Sequence, residues 1–404
     1  MSIKDNYDQS DKPIGIRNVV ALGFVSFFTD FSTEMILGIL PLFIVTNLGA
    51  SRTILGGIEG SAELISYAFR MVSGALSDKL RKRKIFVLVG YGLSTASKPF
   101  FAITSGWLGA FIVRACDRIG KGLRTAPRDA LIADSVSESA AGKAFGIHRT
   151  LDQMGAIVGP IAAFALLQII DIRGIFLVSL IPGAIGVIIL IFVVKEVAIR
   201  FSNTAGALSN FGNVLKRNRP FVLLLIISGI FSIGAFNYSF ILLKASSLGI
   251  NKNLIPLVYA VINISHTAIG IPSGMLADKI GKEKVLTIGY AAFAVSSLLM
   301  VILTGNSLYA YVLAAVFGLY MGISETLQRA IIPRYISSEL RGTAYGIYNL
   351  VIGSGFFISN VIFGFLWDKY NVNVGVYYSI ITSLAAITGM FLFVGKYPSG
   401  KSPS

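Results

Sequence analysis

Long apolar runs recur along the chain, separated by short polar or glycine-containing breaks. At about 20 apolar residues per helical span, they predict twelve transmembrane helices, near residues 19–46, 53–76, 85–105, 107–133, 144–169, 174–194, 220–245, 254–277, 285–304, 308–333, 343–367 and 374–395. The fourth run is the exception. Its centre, Gly120-Lys121-Gly122-Leu123-Arg124-Thr125-Ala126-Pro127-Arg128-Asp129, is too polar for a plain hydropathy window.

An internal repeat restores it. Shifting the sequence by 200 residues superposes Leu48-Gly49 on Leu248-Gly249, Gly74 and Asp78-Lys79 on Gly274 and Asp278-Lys279, Gly122 on Gly322, and Gly142 and Gly146 on Gly342 and Gly346. The polar run then answers to the more apolar Leu308 through Pro333, so it should span as well, with its charges turned toward protein or water. The predicted organisation is a tail (1–18), a six-helix bundle (19–194), a linker (195–219), a second bundle (220–396) and a closing tail (397–404), an all-α integral membrane fold of two pseudo-symmetric halves.

Composition narrows the function. Of 404 residues, 54% are hydrophobic and 14% charged, against about 25% charged in soluble domains, which argues against a water-soluble enzyme or a nucleic-acid binder. The net charge of +15 therefore reads through position. With the tails and even-numbered connections inside, roughly 21 Lys and Arg fall on the inner side and about 4 outside, which predicts cytoplasmic termini and a multi-pass protein of the plasma membrane. The N-terminal stretch lacks the order of a secretory signal. A single cysteine, Cys116, leaves no intramolecular disulfide and no Cys-cluster metal site. No phosphate-binding loop appears, and neither a metal nor a cofactor is called for.

The connection after segment 2 reads Gly74-Ala75-Leu76-Ser77-Asp78-Lys79-Leu80-Arg81-Lys82-Arg83-Lys84, and its counterpart reads Gly274-Met275-Leu276-Ala277-Asp278-Lys279-Ile280-Gly281-Lys282-Glu283-Lys284. Together they resemble the paired cytoplasmic signature of the major facilitator superfamily, with Arg81 standing where a glycine is usual. Arg114 resembles the arginine that superfamily members carry on helix 4. Gly155-Ala156-Ile157-Val158-Gly159-Pro160 is similar to the helix 5 pattern of exporters that exchange substrate for protons, although Ala162 and Ala163 replace its downstream glycines. The resemblance implies a transporter whose helices 1, 4, 7 and 10 line a central cavity.

Charges inside the spans supply the chemistry. A charge at the bilayer centre costs roughly 2.5 to 3.5 kcal/mol, so Asp30, Glu34, Glu59, Glu63, Asp117, Asp129, Asp152 and Glu325 must line something. Asp30 and Glu34 share a helix face at i, i+4, as do Glu59 and Glu63. Two close carboxylates in low dielectric cannot both ionise easily, which makes these four the proton-coupling candidates. Arg114, Arg118, Lys121, Arg124 and Arg128 form a basic stripe that could pair with the carboxylates or hold an anion. With Asp117, Asp129, Asp152, His266, Glu325 and Arg329, they are the candidate substrate contacts. Arg70 and Lys98 read as snorkelling anchors, His148 as a packing residue, and Asp134, Glu138 and Lys143 as a solvated loop.

The expectation is a monomeric secondary transporter that exports an organic compound in exchange for protons, with the lipid bilayer as its surroundings. An anionic metabolite or metal chelate is the second substrate class, and a receptor or scaffold without turnover is the competing class of function.

Overall fold

The computed structural model describes residues 12–137, 140–197, 214–215, 218–337 and 340–397, so most of the linker, both tails and Glu138 lie outside the described residues. Among the described residues the structure is helical without strands. Twelve helical passages follow one another: α1 (Lys12–Leu37, continued by Leu40–Leu42 and a π-turn at Phe43–Asn47), α2 (Arg52–Leu80), α3 (Arg83–Ser97, ending in a 3-10 turn at Lys98–Ile103), α4 (Trp107–Asp134), α5 (Ala141–Leu166), α6 (Ile172–Val178 and Leu180–Phe192), α7 (Arg219–Gly234 and Tyr238–Ser247), α8 (Ile255–Ile280), α9 (Lys282–Ile302), α10 (Tyr309–Ile331), α11 (Arg341–Lys369) and α12 (Val372–Lys396).

Among the described residues, nine passages are long and apolar enough to cross a membrane by length and composition. The other three are α2, α4 and α5, of which α4 is the richest in charge, with eight Asp, Glu, Lys and Arg residues. Side-chain caps start several helices: Ser51 accepts from the Ile54 N–H, Asp171 from Gly174, and Asn371 from Asn373 and Val374. The α7 run breaks at residues 235–237, where Asn237 caps the second piece and its own N–H bonds Asn360 Oδ1 at 2.9 Å.

The same packing order repeats in both halves. Helices α1, α5 and α6 pack as α7, α11 and α12 do, and α2, α3 and α4 as α8, α9 and α10 do. Glycines set the closest approaches. On α3 and α4, Gly90 and Gly120 face each other's backbone, and Gly122 lies on Ser66 and Phe69 of α2, so the charged helix fits against two neighbours without bulky spacers.

The halves meet along α2 with α11 and α5 with α8. Far from the basic loops at 79–84 and 279–284, this seam is tight: Gly56, Gly60 and Gly364 lie against the backbone of Asn360, Phe357 and Arg52. Asp368 closes the end of α2, accepting from the N–H groups and side chains of both Arg52 and Thr53. Toward the basic loops the helices are less crowded, and a side chain at Gly142, Gly146 or Gly342 would meet nothing within 4 Å.

Those loops clarify the departure at Arg81. Arg81 has φ 53°, the left-handed conformation, and Gly281 at the same repeat position has φ 104°. The turn favours glycine, and Arg81 adopts it at a cost of about 1–2 kcal/mol. Asp134 does not belong to a solvated loop. It ends α4 and pairs with Arg83 Nε at 3.2 Å, because the start of α3 places that guanidinium beside it.

Candidate functional site

Helix α4 organises the polar interior, and its charges divide into two layers. In the deeper layer, Arg114 is 1% exposed and binds Glu59 at 2.7 Å and Asp117 at 3.3 Å. Arg118 lies 3.5 Å from Glu63 and 3.9 Å from Asp117. Ser94 of α3 donates to Asp117 at 2.6 Å. Ion pairs thus join α2 to α4, a hydrogen bond adds α3, and Arg114, Glu59 and Asp117 are almost wholly removed from water. Such pairs add little net stability, but breaking one leaves a buried charge uncompensated.

The second layer lies nearer the basic loops and is wetter. Arg128 holds Asp129 at 2.8 Å and approaches Asp152 at 3.9 Å. Arg149 binds Asp152 at 3.1 Å and crosses to the other half, meeting Glu325 at 3.2 Å. Glu325 also faces His266 Nε2 at 2.8 Å. The Arg149 and Glu325 side chains keep 45% and 33% of their surface exposed. Asp30 of α1 joins this layer as a carboxyl group close to that of Asp152.

A third contact also crosses between the halves. Glu34 accepts from Tyr259 Oη at 2.5 Å and from Asn263 Nδ2 at 3.4 Å, while Asn263 also donates to the Ala156 carbonyl at 2.8 Å. The Tyr238 ring lies 4.7 Å from Tyr259. By the 200-residue shift, Tyr259 and Asn263 stand where the first half has Glu59 and Glu63.

The i, i+4 carboxylate pairs therefore separate by partner. Glu59 and Glu63 each meet an arginine, Glu34 meets α8, and Asp30 meets Asp152. Intrahelical spacing reveals a shared face but not which neighbouring side chain occupies it. Lys98 does not snorkel. It is buried, with Nζ 3.1 Å from Ser32 Oγ and 3.4 Å from the Thr29 carbonyl, because the 3-10 turn ending α3 directs it toward α1. His148 is buried and bonds Ser26 Oγ at 2.9 Å, and Ser26 also meets Tyr91 Oη at 2.7 Å. The Arg329 side chain lies outside the described residues.

In the loop signature, Asp78 meets Arg83 at 3.4 Å, and Lys79, Asp278 and Lys279 are exposed. Gly74 faces Ala126 of α4, whereas Gly274 has only ordinary contact with Thr326. Gly155 and Gly159 lie against the α1 backbone at Phe27 and Phe31, so this pattern serves close packing of α5 on α1; Pro160 is buried beside them. Sequence reasoning missed Ser94, Tyr91 and Ser26, whose roles come from neighbouring helices. It also missed Glu283, which is wholly buried and bound by both oxygens to Arg334 at 2.8 and 2.7 Å. Tyr335 also donates to Glu283, and burial with this bond pushes its phenol above the usual range. No group of three or more His, Cys, Asp or Glu that could hold a metal ion occurs among the described residues.

The family description "Major Facilitator Superfamily" matches residues 22–359 and 224–404. The chain belongs to the major facilitator superfamily. Among its relatives is an uncharacterized MFS-type transporter of Methanocaldococcus jannaschii, 35% identical over 95% of this chain and 96% of the relative. The quinolone resistance protein NorA of Staphylococcus aureus is 24% identical over 92% of this chain and 95% of its own length. The fold resembles that of the nucleoside transporter NupG, with a TM-score of 0.76, 13% identity and coverage of 94% of this chain and 99% of that one. A peptide transporter POT in complex with sulfate gives 0.77 at 13% identity, covering 95% and 94%. Membership makes the protein a multi-pass membrane transporter.

Proposed function

We propose that this superfamily member is a secondary active transporter that exports a small organic compound in exchange for protons, by alternating access in the plasma membrane. In this reading the protein is a monomer, and the basic loops and both termini face the cytoplasm. The observation that carries it is the Asp30–Asp152 contact. Two carboxyl groups this close in a low-dielectric setting cannot both ionise easily, so the pair favours holding a proton, and losing it leaves two like charges side by side. The change is felt by Arg128 and by Arg149, which reaches Glu325 in the other half. A proton bound at this junction therefore alters the bond between the bundles and biases the rocking equilibrium.

Glu34, Glu59 and Glu63 extend the junction, each held by a partner that movement of α1, α2 or α8 would release. Export is supported by the relationship to NorA, whose name records quinolone resistance. Purified protein in proteoliposomes containing a pH-sensitive dye tests the reading. Candidate organic solutes should drive proton movement, and Asp30→Asn or Asp152→Asn should lower it about tenfold. Solute flux indifferent to collapse of the proton gradient and to both substitutions would refute the proposal.

A further inference from the structure

The α4 stripe contains five cations, but their ion pairs are uneven. Arg114, Arg118 and Arg128 each have a carboxylate within 4.0 Å. Lys121 and Arg124, one turn apart between them, have none within that distance among the described residues. Arg124 is 4% exposed, and its Nη1 is buried without a hydrogen-bond partner. Its guanidinium lies over the Tyr91 ring, 4.6 Å from the centroid, and Tyr91 is fixed in turn by Ser26. Lys98, on the adjoining α3, adds a third buried cation whose bonds go to a hydroxyl and a carbonyl.

The carboxylates do not balance them. Glu59, Glu63, Asp117 and Asp129 are taken by arginines, Asp152 by Arg149, and Glu34 is held by α8, which leaves Asp30 as the one carboxylate of this group for three cations. A buried cation without a counter-ion carries a desolvation penalty of several kcal/mol. Nor does the fold require these two, since the repeat positions in the second half hold Met321 and Ser324.

We infer that Lys121 and Arg124 form a subsite for one anionic oxygen group, a carboxylate or phosphate, on the transported solute. Arg124 supplies directional N–H donors, held in place by Tyr91, and Lys121 supplies a mobile charge at the half-buried edge. This inference rests on the transporter reading above but not on the direction of transport.

The test uses the full chain in detergent, with thermal unfolding followed as inorganic phosphate, benzoate or neutral benzamide is added at ionic strength matched with sodium chloride. At least one anion should raise the melting temperature beyond the chloride control while benzamide does not, and the phosphate and benzoate arms identify which oxygen group is preferred. Arg124→Gln and Lys121→Met should each weaken that anion at least tenfold, and Arg124→Lys should retain part of the affinity. If Arg124→Gln does not fold, Lys121→Met decides the outcome. Equal binding by wild type and Lys121→Met, or no anion effect beyond chloride, would overturn the subsite. In proteoliposomes, flux of a neutral or cationic solute untouched by Arg124→Gln would remove the subsite and leave the transporter reading intact. Anion binding without any solute flux would do the reverse.

Discussion

The two halves share one frame but fill its centre with opposite chemistry. Where the first half has Asp117, Arg118 and Arg114, the second has Phe317, Gly318 and Ala314. Around Phe317 lie Phe236, Phe293 and Tyr320, with ring centroids 5.9, 6.4 and 5.4 Å away. Phe231 stacks on Tyr290 at 3.8 Å. The helix packing that needs ion pairs in one bundle is thus achieved with aromatic rings in the other. The fold leaves the choice open, and the charged centre is best understood as serving function.

The most damaging way to test that contrast is to break the deep pair. Arg114→Met leaves Glu59 buried without its partner and should cost about 3–5 kcal/mol. Adding Glu59→Leu should recover most of the loss, read as thermal unfolding in detergent. If the single substitution is neutral, the two centres do not differ in kind.

A second contrast lies beneath the basic loops. Arg83 pairs with Asp134 in the first half, while Glu283 pairs with Arg334 at the repeat-equivalent positions, so the bridge persists with its charges exchanged. Arg83→Glu alone should destabilise by about 2–4 kcal/mol through like-charge contact and a lost partner. Combining it with Asp134→Arg should restore stability in a double-mutant cycle. Failure of the double variant would mean that the local frames are not interchangeable.

A smaller effect is expected in coupling. Asp30→Asn should lower proton-driven solute flux about tenfold, equivalent to about 1.4 kcal/mol, whereas Ser228→Ala, which removes the hydroxyl bonded by Tyr290 and Tyr348 in the second half, should leave the pH dependence of flux unchanged. The smallest effect is at the loop. Arg81→Gly should raise stability by up to about 1 kcal/mol by relieving the left-handed turn, partly offset by the added freedom of the unfolded chain. The same measurement on Gly281→Arg should show a loss.

The fold could be read from the chain because apolar run lengths and the 200-residue shift both report on helices and their order. The site was legible as an inventory but not as a set of partners. Glu34 shows why: its neighbours, Tyr259 and Asn263, are more than 220 residues away along the chain, and no intrahelical spacing encodes them. Asp30 likewise appeared paired with Glu34, although a carboxyl group on α5 lies against it. The exchanged bridge was accessible to sequence reasoning, since aligning the halves places Arg83 on Glu283 and Asp134 on Arg334.

The glycine seam between α2 and α11 bears on how fast the cycle can turn. Where backbone lies on backbone, few rotamers need re-sorting when the surfaces part, so the bundles can separate there as rigid bodies without a slow repacking step. One polar tie to be undone is the Asp368 clasp on Arg52 and Thr53. Opening this end must release that clasp together with the bonds that Tyr259 and Asn263 make across the halves to Glu34 and the Ala156 carbonyl.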